Sequence, residues 1–179
     1  TLQVIKTKDG QNFYCDTDGL CYRVYRFITD ATSYDVVESP KDFYESAVSF
    51  GNFQYLLADY PADTLYETIP NFHNTAKRFE TFCEAVKADV CGRAASVQAE
   101  IDFVMARANE TSALTSLLES KELPLRVTHN DTKLNNIMID NETGKGICVI
   151  DLDTVMPGSA LYDFGDSIRF GANTAVEDE

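Results

Sequence analysis

Val127-Thr-His-Asn-Asp-Thr-Lys-Leu-Asn-Asn-Ile-Met-Ile-Asp140, continued by Cys148-Val-Ile-Asp-Leu-Asp-Thr154, is the stretch that sets the reading of this 179-residue chain. A short apolar strand delivers His129 and Asp131 into a polar loop, and Asn136 ends that loop five residues after Asp131. Strands over Ile137–Asp140 and Ile147–Asp151, turning at Asn141-Glu142-Thr143-Gly144, then bring Asp151 back as a hairpin. Two carboxylates and one amide can converge where those strands end. Hard divalent cations such as Mg²⁺ take oxygen ligands of this kind, commonly one or two carboxylates with substrate phosphates completing the shell. A lone His-x-Asp is ordinarily a turn or a satisfied polar contact. Asn136, the hairpin and Asp151 together make accident a poor account.

Upstream, the first thirty residues read as strands. Asp9-Gly10 and Asp16-Thr17-Asp18-Gly19 are turn signals beside Gln11–Cys15 and Leu20–Ile28, which predicts an antiparallel meander covered on at least one face. The period changes at Ser39, an N-cap followed by Pro40, with Phe43, Ala47 and Phe50 at helical spacing. A second apolar stripe comprises Phe72, Ala76, Phe79, Cys83 and Val86, and a third Val97, Ile101, Val104 and Ala108. Leu114, Leu117 and Leu118 extend the third or form a short helix of their own, and Tyr162–Phe170 can form one more. These stripes are read as core-packing faces without function.

Composition narrows the class of protein. With 29 Asp and Glu against 15 Lys and Arg, the formal charge is −14, which argues against non-specific binding to phosphate backbones or anionic lipid, since both need a basic face. At 44% hydrophobic residues the chain can bury a core, so wholesale disorder is excluded. No apolar run approaches the ~20 residues that span a bilayer and nothing resembles a signal peptide, so a cytoplasmic protein is expected. Cys15, Cys21, Cys83, Cys91 and Cys148 form no C-x-x-C pair, which predicts reduced thiols rather than a zinc site or a disulfide framework.

The arrangement around Asp131 resembles the catalytic core of protein-kinase-like enzymes, whose loop reads H-x-D-x-x-x-x-N with a metal-binding Asp on the next hairpin. The matching residues are His129, Asp131, Asn136 and Asp151, and Lys133 coincides with a lysine that meets the transferred phosphate in many protein kinases. Asp151-Leu152-Asp153 departs from D-F-G, and no A-P-E segment follows. Asp153 to Asp166 is instead similar to the aminoglycoside phosphotransferase and choline kinase superfamily of small-molecule kinases. THNDTKLNNIMID (128–140), CVIDLDTVMPG (148–158) and YDFGDSIR (162–169) look closest to its N-acetylhexosamine 1-kinase branch, supported by FHNTAKRF (72–79) and YRVYRFI (22–28). A competing match of 149–155 to the D-x-D-x-[TV] opening of haloacid-dehalogenase-type phosphatases fails on space, since only 24 residues follow Val155.

The resemblance implies an α+β, protein-kinase-like fold. Residues 1–30 would be the end of a small-lobe sheet and the hinge, and 31–179 a mostly helical large lobe with the catalytic loop and hairpin at 125–155. No G-x-G-x-x-G occurs, so the chain is expected to be a fragment that binds ATP poorly alone. The implied cofactors are ATP and Mg²⁺. Asp131 would be the base and Lys133 would neutralise phosphate charge. Asn136 and Asp151, with Asp153 as an extra ligand, would hold metal, and Phe27, Ile28 and Asp30 of the hinge would meet the nucleotide. His129 and Asp163 are expected to brace the loop; Asp163 and Asp166 as helix caps is the plainer alternative, and His73 is read as structural. The implied partner is a small-molecule acceptor, best an amino sugar, with no nucleic acid or membrane and no statement on oligomeric state. Other acceptors (choline, homoserine, aminoglycoside, methylthioribose) and a non-catalytic nucleotide- or partner-binding domain are the alternatives.

Overall fold

Ser39 opens the first helix through a reciprocal pair of bonds. Its hydroxyl accepts from the Asp42 N–H at 3.3 Å while Asp42 Oδ2 accepts from the Ser39 N–H at 2.8 Å, with Pro40 at the first helical position. The helix, α1, runs Pro40–Leu56. Its buried face departs from the expected stripe: Ser46 and Phe50 are buried, whereas Ala47 is exposed. Both sets satisfy a 3.6-residue period, and only the neighbouring strand chooses between them.

The computed structural model describes residues 2–37 and 39–173, a mixed α+β chain of small sheets and helices. Residue 38 and residues 174–179, the end of the expected large lobe, lie outside the described residues. The chain forms two compact units, each with its own packing.

The first unit takes the chain as far as Ala58, Asp131–Asp153, and the chain from Asp163. The expected N-terminal meander is reduced to β1 (Tyr14–Cys15) and β2 (Cys21–Tyr22), antiparallel, with an isolated bridge between Val4 and Tyr25. Asp16 Oδ1 accepts the N–H groups of Asp18 and Leu20, both at 2.9 Å, and so closes the turn. Little covers these strands: Tyr22 is 50% and Val24 57% exposed. The expectation of reduced thiols is corrected here. Register sets Cys15 directly across from Cys21, and the two are joined as a disulfide, while Cys83, Cys91 and Cys148 are free. Spacing alone gave no sign of that pair because a hairpin, not a motif, brings it together.

β3 (Ala31–Thr32), β5 (Ile137–Asp140) and β6 (Gly146–Val149) form an antiparallel sheet in the order β3-β5-β6. Phe50, Leu134, Ile137 and Ile139 make its core, flanked by Val37, Val149 and Phe170. α1 packs on β6 very closely. A Cβ on Gly146 would stand 2.0 Å from Ser49 Oγ and 3.3 Å from the Glu45 carbonyl oxygen, so close approach, not turn geometry, explains this glycine. Gly144, at φ +64°, does answer to the turn.

The second unit comprises Asp59–Asn130 and Thr154–Tyr162. α2 (Thr75–Ala88) is capped by Asn74, whose side chain accepts from the Lys77 N–H at 3.0 Å. Ala76, Phe79, Cys83 and Val86 are its half-buried stripe, and Phe72 precedes the helix. α3 (Gln98–Met105) buries Ile101, and α4 (Ala113–Glu119) is separate, with Leu114, Leu117 and Leu118 half-buried. β4 (Arg126–Thr128) pairs antiparallel with β7 (Met156–Gly158), a strand absent from the sequence reading because Pro157 interrupts any strand pattern. Ala160–Gly171 forms α5, which includes the expected 162–170 segment.

Candidate active site

Three of the expected site residues meet on one loop. Asp131 and Lys133 are each about one-fifth exposed (22% and 21%), and Lys133 Nζ lies 3.4 Å from Asp131 Oδ1. Asn136 is buried and donates from Nδ2 to the Asp131 carbonyl oxygen at 2.8 Å and to Asp131 Oδ2 at 3.0 Å. The turn at Leu134–Asn136 buries Leu134 in the core, and this anchor holds the polar residues around it in place. A carboxylate with one oxygen towards a lysine and the other towards an amide is oriented without being sealed from solvent.

The hairpin continues the site. Ile137 is the register partner of Val149, and Ile150 N–H donates to the Asn136 carbonyl at 2.9 Å, which carries the chain past Asn136 into Asp151. Asp151 is exposed and has φ +56°, a left-handed conformation uncommon for a residue with a Cβ. Asp153 turns elsewhere: its Oδ1 is 2.7 Å from Arg23 Nη2 in an exposed pair. At the expected hinge Phe27 is 83% exposed, Ile28 is half-buried, and Asp30 has φ +58° with its carbonyl accepting from the Asn141 N–H at 2.9 Å.

Among the described residues no group of three or more His, Cys, Asp or Glu side chains converges as a self-sufficient metal centre. Mg²⁺ would draw on fewer protein donors. With Asn136 Nδ2 bonded to Asp131, the amide Oδ1 is left as an acceptor, and Asp151 follows Ile150, whose N–H bonds the Asn136 carbonyl. A cation that relies on nucleotide phosphates for its remaining ligands needs no more from the protein.

The loop is braced from α5. Thr132, 1% exposed, donates its N–H to Asp166 Oδ2 at 2.7 Å and its hydroxyl to the Asp163 carbonyl at 2.7 Å. Buried Asp163 also accepts from Gln54 Nε2 of α1. The brace foreseen at Asp163 is therefore partly main-chain, and Asp166 supplies the carboxylate. Sequence reading offered Asp166 only as a helix cap and did not single out Thr132. The signal was the i, i+3 spacing of Asp163, Asp166 and Arg169 on one helix.

Within the second unit, His129 is fully buried and its carbonyl accepts from Thr154 Oγ1 at 2.7 Å. Asn130 has φ +68°, which Asn tolerates, and donates from Nδ2 to the Thr154 carbonyl at 2.9 Å. His73 Nε2 bonds the Asn130 carbonyl at 2.8 Å, which requires its proton on that nitrogen, while its ring lies 5.1 Å from that of Tyr162. Burial holds the Tyr162 phenol above its ordinary value of 10.0.

The site therefore comprises an acid loop closed by an amide, followed by a hairpin that ends in a left-handed aspartate. The sequence matches the APH phosphotransferase enzyme family over residues 4–178, and the chain belongs to that family. No helix among the described residues is long and apolar enough to cross a membrane.

Proposed function

We propose that this protein is an ATP-dependent small-molecule kinase that transfers the γ-phosphate to a hydroxyl of an amino sugar, the anomeric hydroxyl of an N-acetylhexosamine in particular. The observation that carries the kinase reading is the two-sided hold on Asp131 by Lys133 and Asn136. Phosphoryl transfer passes through a loose transition state, so the protein's part is to place groups and offset charge. Asp131 accepts the hydrogen bond of the acceptor hydroxyl and takes its proton as the oxygen bonds to the γ-phosphorus and the bond from that phosphorus to the bridging oxygen breaks, ADP leaving. Lys133, beside that carboxylate, neutralises charge on the transferring group. Asn136 Oδ1 and the Asp151 carboxylate would hold Mg²⁺, which when bound offsets phosphate charge and aligns the nucleotide; Asp153, paired with Arg23, is a reserve ligand. Phe27, Ile28 and Asp30 would border the nucleotide base. The amino-sugar acceptor rests on the resemblance of 128–140, 148–158 and 162–169 to the sugar-kinase branch.

A coupled ADP-release assay on the intact protein, with GlcNAc and GalNAc beside choline and homoserine, tests the reading. Turnover with the sugars is expected. Turnover with only an amino alcohol or amino acid removes the sugar assignment and leaves the kinase standing, and ATP–Mg²⁺ binding without turnover on a wider acceptor panel removes the kinase.

A further inference from the structure

The peptide unit that joins Asp131 to Thr132 is held at both ends. Its carbonyl oxygen accepts from Asn136 Nδ2 at 2.8 Å, and its N–H donates to Asp166 Oδ2 at 2.7 Å. We propose that Asp166 is a positioning residue for the base: it clamps this peptide plane and thereby sets the direction in which the Asp131 carboxylate leaves the backbone. The role presupposes that Asp131 takes the acceptor proton.

Three features make the clamp stiff. Thr132 is 1% exposed and the Asp166 side chain 9%, so water does not compete well for either group. Asp166 Oδ1 receives Arg169 Nε and Nη2, both at 3.0 Å, which engages that oxygen and leaves Oδ2 for Thr132. The Thr132 hydroxyl bonds the Asp163 carbonyl at 2.7 Å, one turn earlier on the same helix, so the loop is pinned to α5 at two points. An ionised acceptor makes a shorter and stronger bond to a peptide N–H than a neutral one does. Helix capping does not account for Asp166, whose oxygens go to the catalytic loop and to Arg169.

Transfer rates depend steeply on alignment, with ~1 Å of misplacement worth about 10²-fold. Asp166→Ala is expected to lower kcat ~10–100-fold with the KM values for ATP and acceptor within about twofold of the unmutated protein. Asp166→Asn, which keeps the shape and one acceptor oxygen, is expected to lose less, ~3–10-fold. In an Asp131→Asn background, Asp166→Ala should cause no further loss, because a residue acting through the base has nothing left to position. Amide hydrogen exchange at Thr132 reads the clamp without turnover: protection should fall at least ~10-fold in Asp166→Ala and hold in Asp131→Asn.

Unchanged kcat in Asp166→Asn, a full additional loss in the Asp131→Asn background, or unchanged Thr132 protection each overturns the proposal. If the alanine variant fails to fold, the asparagine variant decides by kcat and by Thr132 protection. Asp131→Asn at full rate would remove the base itself, a result distinct from an inert Asp166 beside an essential Asp131.

Discussion

Asn136 donates from a single nitrogen to both the carbonyl and the carboxylate of Asp131, five residues before it. The amide closes the loop and points one oxygen of the acid, so the same side chain that shapes the backbone also orients the carboxylate that the proposed function makes the base. Under the proposed function, folding and chemistry share one residue. A conservative change here is therefore expected to affect more than one measurement.

Asp131→Asn removes the proton acceptor and leaves the shape. A loss of ~10²–10⁴-fold in kcat is expected, with ATP–Mg²⁺ still shifting the melting temperature. Steady-state ADP release and a thermal scan check both halves.

Asn136→Ala takes away the loop-closing donor and the amide oxygen together. The Mg²⁺ concentration for half-maximal rate should rise at least ~10-fold. The melting temperature should also fall, because the Asp131 carboxylate and carbonyl lose a buried partner, an effect of ~1–3 kcal/mol. A Mg²⁺ requirement unaltered in this variant would remove Asn136 from the metal assignment.

Gly146→Ala places a methyl 2.0 Å from Ser49 Oγ. The clash should destabilise by ~1–3 kcal/mol, since the Glu45 backbone on the same side cannot retreat. Ser49→Ala in the same chain should recover part of that loss, and chemical denaturation of the single and double variants measures the coupling.

Leu134→Ala empties a side chain 1% exposed at the centre of the Phe50–Ile137–Ile139 core. Destabilisation of ~2–5 kcal/mol is expected. Because Leu134 lies between Lys133 and Asn136, kcat should fall at temperatures well below the melting transition, in contrast to an equally destabilising change far from the loop.

Asp140 accepts from Thr143 at both its hydroxyl and its N–H, at 2.6 and 2.7 Å, and these bonds hold its carboxyl below the ordinary 3.8. A depressed folded value means that the contribution is complete above the unfolded value and is lost as pH falls from there through the lower folded value. Asp140→Asn should flatten that part of the stability profile below about pH 4 and lower stability at neutral pH, where the carboxylate's contribution is complete, so that the two proteins converge in acid. Acid titration of the melting temperature in both proteins tests the sign.

Much of this molecule was legible before any coordinates. Ser39 and Pro40 mark a helix start because an N-cap and a proline act locally, and the loop from Asp131 to Asn136 is read from spacing because five residues can turn in few ways. Ala47 was misplaced on the buried face because two stripes satisfy the same period. β7 escaped notice because Pro157 disguises a strand whose partner lies thirty residues upstream. The Cys15–Cys21 disulfide depends on hairpin register, which no count of cysteines contains.

What the chain determines on its own is a set of local facts: where helices begin, where turns fall, and which acid, amide and lysine occupy one loop. What required the folded molecule is which way those groups face. Asp166 meets the peptide of Thr132, and Asp153 meets Arg23, only because α5 and the segment after β2 pack where they do. Long-range hydrogen bonds join residues that sequence spacing does not relate, and their partners are chosen by packing.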